Sequence, residues 1–401
     1  MLKASIQLYR NAYSGLSQHM WWLAFVIFVN RCGTMVIPFL TVYLTHTGYS
    51  LAQAGYVMGA FGIGSVIGGY IGGQLTDRFG HFYVQVFSLL LNGIFFIILG
   101  KMQSLLQITL CIFVLSTLGE AFRPANAAAI AAYSNETNRI RCYSLNRLAV
   151  NLGWAIGPAI GGILASISYS LLFWVDGFTC IAAALLLYYL FAREKGGVAV
   201  IKKTHHEKIK NSAYHDKEFL AGMFYVFLVG LCFFQMFSIL PVYYKEQLNL
   251  DEAVIGWLLA LNGLIIALVE MVLVYKLENR GRGVTYMIAG AFLIGVSFLI
   301  LNTAALFAVA VTSIVVITVG EMLLFPFVNN FWVNRSTGET RGQYAALYTM
   351  SFSAALVLAP TLAAQLASFA GFSVLWLINF FICCLAALGF YLLKKRIHTH
   401  V

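Results

Sequence analysis

The chain has 401 residues, of which 61% are hydrophobic and only 10% charged, against roughly 25% charged residues in soluble domains. That balance excludes a water-exposed globular fold. The net charge of +10 superficially suggests nucleic acid, but the placement of Lys and Arg described below excludes that class as well.

A membrane span needs about 20 apolar residues. Runs of that kind occupy 21–45, 51–74, 82–100, 105–131, 143–165 and 170–192, then 219–244, 252–275, 284–302, 305–328, 343–367 and 372–393. They are too long, and too poor in alternation, for the roughly ten-residue strands of a membrane barrel. An all-α integral membrane protein of twelve transmembrane helices is therefore predicted. Its domains are a six-helix bundle over 1–192, a basic linker over 193–218 and a second six-helix bundle over 219–401. The first run has no small-residue cleavage site behind a short apolar core and reads as a retained helix. With the N-terminus in the cytoplasm, all but four of the 25 Lys and Arg fall at cytoplasmic ends or loops; Lys101 and Lys245 lie outside, and Arg31 and Arg123 within the membrane. This positive-inside pattern places the chain in the cytoplasmic (inner) membrane with both termini cytoplasmic. The linker, REKGGVAVIKKTHHEKIKNSAYHDKE, reads as a solvated hinge or as a contact for anionic headgroups.

In chain order, the first helix carries a polar stripe of Asn30, Arg31, Thr34 and Thr41. The second has Gly55, Gly59, Gly64, Gly68 and Gly72, a small-residue packing face. It ends in GQLTDRFG, Gly73 to Gly80, where Gly80 permits a tight turn, Asp77 can accept hydrogen bonds, and Arg78 anchors the helix at the headgroups. The fourth helix holds LGEAFRP, with Glu120, Arg123 and Asn126 on one face. The fifth holds NLGWAIGPAIGG in a stretch without charge from Leu148 to Ser170. Gly153, Gly157 and Gly161 there form a stripe free of side chains, and Pro158 introduces a bend. Asp176 is expected to cap or pack near the outer end of the sixth helix, and Glu270 to snorkel from the eighth. The tenth repeats the fourth in VGEMLLFP, as duplicated transporter halves do. A charge at a helix centre costs about 2.5–3.5 kcal/mol, so Arg31, Glu120, Arg123, Glu270 and Glu321 should face partners or a watery cavity.

GQLTDRFG resembles the G-x-L-x-D-R-x-G loop motif of the major facilitator superfamily, and the twelve helices, central linker and pseudo-repeat agree with it along the chain. The basic pair that usually follows the motif is His81-Phe82, and the second-half counterpart, Leu277 to Gly281, is degenerate. NLGWAIGPAIGG is similar to the fifth-helix motif of the drug:proton antiporters, through Gly153, Gly157, Pro158, Gly161 and Gly162. The resemblance implies two bundles working by alternating access, with Gly73, Asp77, Arg78 and Gly80 as a gating loop. It also implies a cavity lined by the first and fourth helices, where Arg31 and Glu120 could meet, in a permanent salt bridge or a functional pair.

Asn30-Arg31-x-Gly33 and Gly320-Glu321 look like sites that proton-coupled peptide symporters use for a carboxylate and an amine. Trp154, Phe234, Tyr243, Trp257, Tyr344 and Tyr348 would instead suit a drug-like ligand or serve as core. The expected function is proton-coupled export of small amphipathic organic compounds; the alternative is proton-coupled uptake of a small zwitterion such as a di- or tripeptide. Glu120 and Glu321 are the expected proton-coupling residues, with Glu321 the easier to protonate because no basic residue stands on its own predicted helix, 305–328. Asn30, Arg31, Thr34, Arg123, Gln235, Asn262 and Tyr344 are the expected substrate contacts. The eight His lie in loops or at helix ends, and the seven Cys have no metal-ligand spacing. No Ser, His or Cys constellation sits at one depth, so no enzyme is expected. Nor is a cofactor expected beyond the proton gradient; the partners are a small-molecule substrate and the bilayer, without nucleic acid, and the chain is expected to be a monomer.

Overall fold

In hydrocarbon every backbone N–H and C=O must be satisfied within the chain, and apolar runs of this length can do so only as helices. The computed structural model describes residues 15–135, 138–192, 213–278, 282–336 and 340–399. The linker from 193 to 212, and 279–281 of the degenerate second-half loop, lie outside the described residues. The helices are α1 (Gln18–Cys32, resuming at Val36–His46), α2 (Leu51–Phe79), α3 (His81–Leu99), α4 (Leu105–Tyr133), α5 (Arg139–Ile167) and α6 (Tyr169–Phe191). Then come α7 (Lys217–Phe233, resuming at Leu240–Glu246), α8 (Glu252–Ile265, a π turn over Ile266–Glu270, then Met271–Glu278), α9 (Gly283–Leu301) and α10 (Phe307–Arg335). The last stretch, Arg341–Thr399, is divided by Gly371 at φ 82° into α11 and α12. The twelve expected helices are thus all present, in a multi-pass membrane protein.

Local chemistry sets the ends. The Ser17 side chain accepts the Met20 N–H, Ser104 and Gln107 form a reciprocal capping box, and Asp216 accepts the Phe219 N–H at the head of α7. Gly80, at φ 81°, makes the tight α2–α3 turn that its motif demands. Helices α5 and α10 extend past their apolar runs, to Arg139 and Arg335, because polar ends project beyond the hydrocarbon.

Two compact units result, and the division does not fall only at the linker. The first takes the described residues up to Val36 and those from Ile63 through α6; the second takes Ile37–Gly62 together with α7 to α12. The boundary therefore cuts α1 and α2. The glycines of α2 divide likewise into two stripes. Gly64, Gly68 and Gly72 lie against Phe113, Thr117 and Ala121 of α4 in the first unit, and Gly55, Gly59 and Gly62 against Ala364, Thr361 and Val357 of α11 in the second. There the Thr361 hydroxyl donates to the Gly55 carbonyl at 2.9 Å. The first unit's core includes Met20, Leu23, Ile27, Phe82, Phe122, Ile130, Leu145 and Leu187.

Candidate functional site

The glycine stripe of α5 is the seat of the break in α1. After Cys32 the first helix loses its ladder for three residues before resuming at Val36. A Cβ at Gly157 would stand 3.0 Å from the carbonyl oxygens of both Arg31 and Thr34 and 3.3 Å from that of Cys32. One at Gly161 would meet Met35 Cβ at 3.0 Å, and one at Gly153 would collide with Arg31. Only side-chain-free residues let α5 lie against the bare backbone of the break. Pro158 and Gly162 are buried on the same helix. On its other side the break meets α6, where Gly33 packs on Thr179. Asp176, 2% exposed, accepts the backbone N–H groups of Met35 at 3.2 Å and Val36 at 3.0 Å. The expectation that Asp176 caps is met, but the helix it caps is the second half of α1. Asn30 donates to the Cys180 sulfur at 3.4 Å.

The charges of the first unit sort into neighbours. Arg123 Nε lies 3.1 Å from Glu120 Oε2, three residues along α4, with the Arg123 side chain 73% exposed. Glu120 is thus paired with Arg123 rather than hydrogen-bonded to Arg31. Arg31 stands within reach of the charges of Glu120, Arg123 and Asp176, and its Nε has no hydrogen-bond partner. Beside this group Gln85, Asn126 and Asn146 link α3, α4 and α5, with amide contacts of 3.4 and 2.9 Å. Thr34 is half-buried in the break itself.

In the second unit Asn262 of α8 donates to Glu321 Oε2 at 2.9 Å and to the Thr318 hydroxyl at 3.0 Å, which brings two expected site residues together. Asn262 stands one turn before the π turn that ends in Glu270. Such turns concentrate at functional sites. Glu270 is 7% exposed, so it is buried and does not snorkel.

One turn beyond Glu321, Phe325 opens an aromatic ladder across α7, α10 and α11. Its ring lies 4.9 Å from Phe233 and 5.2 Å from Phe352; Phe352 is 6.0 Å from Phe234 and 4.9 Å from Tyr348, which stacks on Trp332 at 6.0 Å. Phe234 and Tyr348 are among the aromatic candidates legible in the sequence; Phe233, Phe325, Phe352 and Trp332 are not. Their spacing along α10 and α11, with Phe325 four residues from Glu321 and Phe352 four from Tyr348, was the available signal.

Other expected contacts are engaged elsewhere. Gln235 sits at the break in α7 and forms a reciprocal amide pair with Asn379 of α12, at 3.1 and 2.8 Å, with both side chains buried. Its amide also donates to the Leu231 carbonyl at 3.0 Å, so its polar atoms are engaged at the break. The Tyr344 hydroxyl donates to Asp216 at 2.8 Å, in a cluster where Arg335 bridges Asp216 at 2.9 Å and Glu218 at 2.7 Å. Burial pushes the Asp216 carboxyl up, but Arg335, the Phe219 N–H and the Tyr344 hydroxyl outweigh it and hold it below the usual carboxylate range. Tyr344 thus belongs to a latch at the helix ends. Asp77 and Arg78 are exposed, with Arg78 over the Phe79 ring at 5.2 Å; Gly73 has open space around it. Among the described residues no group of three or more His, Cys, Asp or Glu could hold a metal.

A family model described as Major Facilitator Superfamily matches residues 23–337 and 243–400. The Na(+), Li(+), K(+)/H(+) antiporter of Planococcus maritimus is 25% identical over 366 residues, covering 83% of this chain and 85% of the relative. Multidrug resistance protein 1 of Bacillus subtilis is 25% identical over 344 residues, again 83% and 85%. A POT family transporter crystallised with a thioalcohol-conjugated peptide superposes with a TM-score of 0.80 over 96% of this chain and 98% of that one, at 17% identity. That last likeness is one of fold.

Proposed function

The chain belongs to the Major Facilitator Superfamily, and from that premise we propose that it exports small amphipathic organic compounds in exchange for protons, by alternating access. The observation that carries this reading is the aromatic ladder from Phe233 to Trp332 laid beside Glu321. Rings of this kind bind a flat apolar body by stacking and edge contacts and attract cations to their faces. Glu321 supplies a carboxylate at the end of the ladder. We assign the proton to Glu321, which accepts from the Asn262 amide at the end of the ladder, and the more structural part to Glu120, which a guanidinium holds. The relatives named for multidrug resistance and for cation/proton antiport support export and proton exchange.

The second reading, uptake of a small zwitterion, draws on the unpartnered Nε of Arg31, a donor suited to a substrate carboxylate. Purified protein in liposomes with an imposed pH gradient separates the two. Proton release driven by lipophilic aromatic amines, with none driven by dialanine, is the expected result. Release driven by dialanine alone would overturn the exporter reading.

A further inference from the structure

We propose that Asp176 is a built-in counter-anion that fills the anion seat opened by the break in α1, and so sets the first unit against carboxylate-bearing substrates. The inference deepens the exporter reading and rests on it for the nature of the substrate. The second part of α1 is an eleven-residue helix whose leading N–H groups have no partner within the helix and carry the positive end of its dipole. Arg31, whose Nε is unpartnered, adds a full charge beside it. In a membrane transporter the start of such a half-helix is a place where a substrate anion binds.

Here the chain supplies the anion itself. One oxygen of Asp176 takes the N–H groups of both Met35 and Val36, at 3.2 and 3.0 Å, and the Cys180 thiol lies 3.9 Å from the other. Two backbone donors on one oxygen is an arrangement that a carboxylate, with two lone pairs on each oxygen, accepts. The packing of Gly33 on Thr179 closes the seat from the α6 side, and α5 closes it through Gly157 and Gly161. Asp176 is thus the acid nearest the break whose charge also reaches Arg31, while Glu120 is engaged by Arg123. A substrate carboxylate then finds the half-helix start and its neighbour Arg31 already answered by Asp176, so a cationic or neutral amphipath is preferred.

The test uses naphthylmethylammonium and naphthylacetate, a matched aromatic pair, and reads half-saturation from thermal stabilisation of the purified full chain. The wild type is expected to favour the ammonium compound. Asp176→Asn keeps an acceptor oxygen for the two N–H groups but removes the charge. It should move the ratio of the two half-saturation concentrations toward the carboxylate by about tenfold, the effect of one unit charge at intermediate distance in a poorly screened site. Asp176→Ala should also become stabilised by formate, which refills the seat, while the wild type is not. An unchanged ratio in Asp176→Asn, or an Asp176→Ala protein indifferent to formate, would overturn the proposal. Should Asp176→Asn fail to insert, Arg31→Gln is read instead and must shift the ratio toward the ammonium compound. Wild-type protein that binds neither probe speaks against the exporter reading, and the formate measurement then decides the counter-anion alone.

Discussion

Replacing Gly157 by leucine puts a branched side chain where even a methyl group has no room. A Cβ there stands 3.0 Å from the carbonyl oxygens of Arg31 and Thr34. Those oxygens belong to backbone, which cannot swing aside as a flexible side chain would, so α5 must back away from the break in α1. For alanine the retreat is a few tenths of an ångström; for leucine it is larger, because the whole side chain follows the Cβ. Overpacking of this kind costs about 1–3 kcal/mol, equivalent to a shift of about 5- to 150-fold in a conformational equilibrium that the seam controls. The assay is dye efflux from proteoliposomes under a pH gradient, with insertion checked by the folded yield. Gly69, which has nothing within 4 Å of an added Cβ, provides the control. Gly157→Leu should abolish efflux, Gly157→Ala should slow it, and Gly69→Ala should leave it unchanged. Wild-type efflux by Gly157→Leu, or equal damage from Gly69→Ala, would refute the reasoning.

Both termini are proposed to be cytoplasmic, so Lys101→Cys and Lys245→Cys should react with an impermeant external thiol reagent in whole cells while linker cysteines do not; the reverse pattern would invert the topology. Gln235→Leu strands the buried amide of Asn379 and should destabilise by about 1–3 kcal/mol. The double variant with Asn379→Leu should cost less than the two single changes together, as a thermal-melt cycle will show. The Asp216 carboxyl is held low when folded, so its stabilisation is complete above the unfolded value of about 3.9 and is lost as pH falls through the folded one. Acid melts should show this loss in the wild type, whereas Asp216→Asn should be less stable at neutral pH and lack that part of the pH dependence.

The twelve helices were legible because hydrocarbon imposes length and apolarity on each span, and the α5 stripe because glycine spacing on one helix needs no partner to be seen. What the stripe packs against was not legible. The break in α1 has Gly33 as its only local sign, and the acid that holds it, Asp176, lies 140 residues beyond Val36 along the chain. Gln235 and Tyr344 are expected as substrate contacts by residue type. Which way each faces depends on the rotation of its helix, and that is set by Asn379 in one case and by Asp216 and Arg335 in the other. Glu270 sat near a helix end in the sequence, yet the π turn that carries it, which no sequence periodicity reveals, leaves it buried. The division of α1 and α2 between the units was hidden for a related reason. Two glycine stripes on one helix look like a single stripe until their partners, α4 and α11, are known.

The central claim is that Glu321 carries the proton that drives export. The direct measurement compares gradient-driven efflux with substrate exchange at equal pH in liposomes containing wild type, Glu321→Gln or Glu120→Gln. Glutamine stands in for the protonated acid and keeps an oxygen for Asn262. Glu321→Gln is predicted to lose gradient-driven efflux while retaining exchange, and Glu120→Gln to keep its coupling to the gradient. Gradient-driven efflux at the wild-type rate and pH dependence in Glu321→Gln would contradict the account.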